Sequence, residues 1–103
     1  MGKMQRDKGA RFEREIVHKL EFHDIKAKRV PLSGSTWLKG DVIANLNNED
    51  WTLELKKRGN GFKQIYDWIE EADALVIAAD RKDPLVVMRL DDFCDLYNNK
   101  DKS

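Results

Sequence analysis

Gly40-Asp41-Val42-Ile43-Ala44-Asn45-Leu46-Asn47-Asn48-Glu49-Asp50-Trp51-Thr52-Leu53-Glu54-Leu55-Lys56 is the stretch whose reading decides the fold. Two short apolar runs flank Asn47 to Asp50, a cluster of turn formers, and this predicts a β-hairpin. If the turn takes those four residues, Leu46 pairs with Trp51, Ile43 with Glu54 and Asp41 with Lys56. Side chains alternate faces along a strand, and cross-strand partners share a face. One face then carries Val42, Ala44, Leu46, Trp51, Leu53 and Leu55, all apolar. The other carries Asp41, Ile43, Asn45, Thr52, Glu54 and Lys56. Asp41 and Glu54 become diagonal neighbours there, close enough for both carboxylates to hold one hard cation. A one-residue slip would mix the two sets, so the clean apolar face supports this register.

Outward from the hairpin, the N-terminal side supplies a helix. Residues 1–8 are basic and lack periodicity, which predicts a flexible arm. From about Gly9 to Phe22, Ile16, Val17 and Leu20 cluster on one side at about 100° per residue, with Phe12 at the edge. Glu13 falls inside that stripe, whereas Glu15 points to solvent. An acid on a buried face is costly unless a cation or donor meets it, which singles out Glu13. A glutamate early in a helix is also favoured by the macrodipole, so position alone leaves both readings open. Ile25 to Val30 reads as a short strand. Pro31-Leu32-Ser33-Gly34-Ser35 then forms a loop of small residues, flanked by Arg29 and Lys39, of the kind that lets backbone approach phosphate.

On the C-terminal side, Lys56-Lys57-Arg58-Gly59 closes the second strand with a basic cluster. A second helix is expected from about Phe62 to Ala72, with Phe62, Ile65, Tyr66 and Ile69 on one face. Ala74 to Ala79 is a continuous apolar run, as for a strand covered on both faces. Leu85 to Leu90 gives a last strand. Asp91 or Asp92 is placed to N-cap a short helix through Phe93, Leu96 and Tyr97. The helical connection between the third and fourth strands suits a right-handed parallel crossover, and hence one mixed central sheet flanked by helices. Residues 9–97 read as a single domain and 98–103 as a polar tail.

Composition narrows the function classes. The chain has 103 residues and no net charge. Residues 1–40 hold ten Lys/Arg against five Asp/Glu, while residues 67–103 hold five against ten, so one side of the molecule is expected to be electropositive. No apolar run has the length of a membrane span, and the one cysteine, Cys94, excludes an internal disulfide framework and fits a reducing cytoplasm. Glu13, Asp41 and Glu54 come from separate elements and sit beside Lys56. Such an oxygen-donor set suits Mg²⁺, which can polarise a phosphoryl oxygen and lower the pKa of bound water. The same spacing also suits a surface salt-bridge ladder of Asp41, Glu54 and Lys56.

Asp41 followed by Glu54-Leu55-Lys56 resembles the PD-(D/E)XK nuclease motif, whose shared core runs α-β-β-β-α-β. Lys8-Gly9-Ala10-Arg11-Phe12-Glu13-Arg14-Glu15 resembles the first-helix signature of the archaeal-type Holliday junction resolvases, which also occur in phages. Arg29-Val30-Pro31-Leu32-Ser33-Gly34-Ser35 resembles their strand-and-loop segment. The resemblance implies a restriction-endonuclease-like α/β fold and a metal-dependent DNA endonuclease that resolves four-way junctions by paired nicks as a homodimer. It implies metal ligation by Asp41, Glu54 and the Leu55 carbonyl with Glu13 close by, Mg²⁺ as the ion and Mn²⁺ as a substitute. Lys56 would act on the attacking water with Ser33 assisting, and Arg14, Arg29, Lys39, Lys57 and Arg58 would meet DNA. The expected setting is the cytoplasm of a prokaryotic or phage-infected cell. Gly40 departs from the family pattern, which has proline before the acid. The chain is shorter than most relatives and its last third is acidic, which leaves a less selective nuclease, or a DNA-binding module without catalysis, as alternatives.

Overall fold

The computed structural model describes residues 2–30 and 40–100. The elements run α1 (Gly2–Phe22), β1 (Ala27–Arg29), β2 (Val42–Leu46), β3 (Glu49–Leu53), α2 (Lys63–Ile69), β4 (Ala74–Ile77), β5 (Leu85–Met88) and α3 (Leu90–Tyr97). The chain divides into two compact units, residues 1–57 and 58–103. Among the described residues, no helix is long and apolar enough to cross a membrane.

The first unit is a helix laid on a three-stranded antiparallel sheet in the order β1-β2-β3. Its helix begins at Gly2, seven residues before the expected start. Apolar periodicity marks where a helix buries a face, but a helix once nucleated extends through polar residues of good propensity. Its end is chemically defined. Asp24 adopts φ 65°, Ile25 N–H donates to the Leu20 carbonyl at 2.9 Å, and Asp24 N–H to that of Glu21 at 2.9 Å. This is a Schellman closure with an aspartate in the left-handed position, and Leu20 and Ile25, joined by its long bond, are both buried.

The hairpin forms, but with a tighter turn than expected. Asn47 and Asn48 alone make it, at φ 56° and 67°, as a two-residue type I′ connection requires. Trp51 therefore pairs with Ala44, Thr52 with Ile43 and Leu53 with Val42, two residues away from the expected register. A shift of two keeps every side chain on its face. Burial, however, concentrates on the central strand: Val42, Ala44 and Leu46 are buried, and so is Ile43 from the opposite face. Trp51, expected in the apolar face, is 54% exposed. α1 packs chiefly on β1 and β2, and the edge strand β3 is the least covered of the three.

In the second unit β4 pairs antiparallel with β5, Val76 opposite Val86. The mixed α/β class and the α-β-β-β-α-β order stand. The expected parallel crossover does not, because β4 takes its partner from the strand that follows it, and both sheets are antiparallel. The β4 residues alternate between exposed and half-buried, where burial on both faces was expected. α2 is short and buries Ile69, while Tyr66 points outward. Arg89 stands at the N-cap of α3, displacing Asp91 and Asp92 into the first turn, where their charge still suits the helix dipole. Its guanidinium donates to the carbonyls of Ala72, Ile69 and Glu70 at 3.0, 3.1 and 3.2 Å, gathering the chain end that follows α2. Cys94 is fully buried. Burial first, then the Asp91 and Asp95 carboxylates, push its thiol pKa up.

Candidate active site

Three elements of the first unit carry the predicted acids, and each acid meets a donor of its own. Glu13, on α1, is 18% exposed against 49% for Glu15, so the two face as their helical positions require. Its Oε1 accepts from Arg29 Nε at 2.9 Å, which answers the need of a half-buried carboxylate for a cation. Arg29 lies on the α1 side of the sheet because it pairs with Val42, whose face α1 covers.

Asp41 precedes β2 at a bend. Its N–H donates to the Leu53 carbonyl at 2.7 Å, and its Oδ2 accepts from Leu55 N–H at 2.8 Å. Glu54 is thus held between two hydrogen bonds from one residue. Gly40 makes this approach possible. It adopts φ 97°, and a Cβ there would meet the Leu53 oxygen and Thr52 Cβ at 3.1 Å. Proline, fixed near −65°, has no access to that conformation. Glycine before the acid is a geometric requirement of this chain.

Beyond the clamp, Lys56 Nζ lies 3.2 Å from Glu54 Oε2, both side chains more than half exposed. With the two-residue shift Lys56 no longer lies opposite Asp41, and its ammonium meets Glu54 on its own segment. An exposed pair of this kind stabilises little, so its interest is chemical. Lys57 Nζ sits 5.3 Å from the Phe12 ring centroid and 3.9 Å from Glu15 Oε1, tying the segment after β3 to α1. Arg14 is exposed on α1. Arg58 belongs to the second unit. Ser33 and Lys39 lie outside the described residues.

The donors Glu13, Asp41, Glu54 and the Leu55 carbonyl are all oxygen, a set whose chemistry fits a hard cation. Among the described residues, though, no three His, Cys, Asp or Glu side chains converge as a metal cage. Arg29 and Lys56 occupy the carboxylates a cation would use. Sequence reading assigned Arg29 to phosphate and missed its pairing with Glu13. The two are 16 residues apart, and no local pattern links them.

Comparison with known proteins follows the same residues. The model of the archaeal Holliday junction resolvase family matches residues 4–94. The chain belongs to that family. The match takes in Glu13, Arg29, Asp41, Glu54 and Lys56 and extends through both units. No curated protein and no solved structure matches the chain. Membership of this family of junction endonucleases makes DNA the partner and strand cleavage the class of activity.

Proposed function

We propose that the chain is a Mg²⁺-dependent endonuclease that resolves four-way DNA junctions as a homodimer, nicking two opposed strands by phosphodiester hydrolysis. The observation that carries this reading is one family match that embraces the whole acid–lysine set, of which Asp41 and the Glu54-Leu55-Lys56 segment are hydrogen-bonded to each other. Asp41, Glu54 and the Leu55 carbonyl would hold the ion, with Glu13 assisting from α1. When bound, Mg²⁺ supplies charge to the phosphoryl oxygen and acidity to water.

The protein's own groups do the rest. The Asp41 clamp fixes the backbone on both sides of Glu54, so its carboxylate and the Lys56 ammonium hang from one rigid segment. Lys56 exchanges its contact with Glu54 for the attacking water and the charge developing on phosphorus, with Ser33 assisting. Arg29 holds Glu13 in place and, with Arg14, Lys39, Lys57 and Arg58, meets phosphates. The acidic second unit, with ten Asp/Glu against seven Lys/Arg, leaves DNA contact chiefly to the first, where twelve Lys/Arg face nine Asp/Glu.

The test is cleavage of a synthetic four-way junction and a linear duplex in Mg²⁺ and in EDTA, with the oligomeric state taken by sedimentation. Symmetric nicks confined to the junction, lost in EDTA, are expected from a dimer. Equal cutting of both substrates would make the chain a general nuclease, and junction binding without cutting would make it a binding module. Asp41→Asn is expected to lower cutting by more than about a hundredfold with binding retained. Glu13→Gln is expected to approach that loss, while Glu15→Gln stays within a few-fold of wild type.

A further inference from the structure

The sheet face away from α1 carries a groove that none of these roles uses. It has a volume of about 440 Å³ and is lined by Lys26, Lys28, Ile43, Asn45, Asn48 and Asp50. Lys28 pairs with Ile43, and Asn45 N–H donates to the Lys26 carbonyl at 2.8 Å, which fixes β1 against β2 here. Lys26 and Lys28 are two residues apart and project to one side, roughly 6.6 Å from each other along the strand. Both are exposed, and among the described residues neither forms a salt bridge. Ile43, 7% exposed, floors the groove. The Asp50 carboxylate is turned to the Asn45 amide at 3.4 Å.

The two hairpin acids adjoin the groove along the chain and the strand register. Asp41 lies two residues before Ile43 on the same chain segment, and Glu54 two residues after Thr52, the Ile43 partner. A DNA strand carries one phosphate per roughly 3.4 Å of helix axis, so two lysines at this spacing can meet two phosphates of one strand. We infer that this groove binds the sugar–phosphate backbone of the DNA arm leading away from the cut phosphate, with Lys26 and Lys28 each neutralising one phosphate. The Asn45 and Asn48 amides add neutral donors, and contacts to phosphate carry no sequence information, so binding by Lys26 and Lys28 is independent of sequence. The inference rests on the nuclease reading above.

The experiment measures binding of a labelled four-way junction in EDTA across a salt series, for wild type, for Lys26→Gln with Lys28→Gln, and for Lys19→Gln with Lys82→Gln as a control of equal charge. The groove variant is expected to reduce the slope of log affinity against log salt by about 2, one for each phosphate that is no longer neutralised, and the control to leave it unchanged. Asn45→Asp, which adds a carboxylate to the groove, should weaken binding in the same sense. Wild type that binds and cuts the junction beside a groove variant of unchanged slope would overturn the groove alone. An equal slope loss in the control would do the same. Wild type that neither binds nor cuts the junction would remove the nuclease reading, and the groove with it.

Discussion

The two hairpins of this molecule share an antiparallel pairing and little else. β2–β3 closes through two asparagines in left-handed conformation and is backed by a helix on the face where Val42, Ala44 and Leu46 are buried. β4–β5 closes through residues 78–84, with Arg81 at φ 65° and Pro84 at the far side, and leaves Val76, Leu85 and Val86 each more than 60% exposed. In the first, burial fixes which side each residue takes, and the Asp41 hydrogen bonds hold the segment that carries Glu54 and Lys56. In the second, the strands are apolar yet half open. Burial and the acid–lysine set coincide in one hairpin, while the strands of the other bury no side chain fully.

That contrast is open to direct attack. Leu20→Ala removes a buried side chain from the helix that backs β2–β3 and is expected to cost about 2–5 kcal/mol in denaturant unfolding, whereas Val86→Ala should stay within about 0.5 kcal/mol. Similar costs would show that the two hairpins are equally packed. Gly40→Ala puts a Cβ into the Leu53 carbonyl and strains a positive φ, for about 1–3 kcal/mol, and should depress cutting further than stability because it moves Asp41. Gly59→Ala, where a Cβ meets nothing within 4 Å, is the matched neutral change. The smallest effect belongs to Cys94. Its folded pKa lies above the unfolded one, so its contribution is full below the ordinary thiol range and is lost as pH rises through the folded value. A shallow decline of melting temperature above about pH 8.5, absent in Cys94→Ala, is the expected signature, together with slow alkylation of the native thiol.

Much of the site was legible in the sequence because alternation is robust. Val42, Ala44 and Leu46 occupy one face under either register, so the face of Glu54 followed even though its expected partner was wrong. The inward facing of Glu13 followed from helical angle, which did not by itself tell a site acid from a glutamate favoured by the macrodipole. The turn was misjudged because Asn47 to Asp50 are all turn formers, and composition does not say that Glu49 and Asp50 join the ladder. The apolar run from Ala74 could not be told from a doubly covered strand, since continuous hydrophobicity carries no record of what pairs with it. The Arg89 clamp on the residues after α2, and Arg29 on Glu13, join segments distant in sequence, and neither leaves a local pattern.

The two-residue hairpin turn has a consequence for how this chain guards its activity. Sliding β3 by two positions against β2 would leave every apolar residue on its own side, and hydrophobic burial would register almost nothing. It would nevertheless carry Leu53 and Leu55 away from Asp41 and undo the hold on Glu54. Core packing therefore cannot proofread the alignment on which cleavage depends. That task falls to Asn47, Asn48 and Gly40, three residues at the ends of β2 whose left-handed backbone admits one setting of the strands. Substitutions there are expected to silence cutting at a smaller cost in stability than a cavity opened in the core.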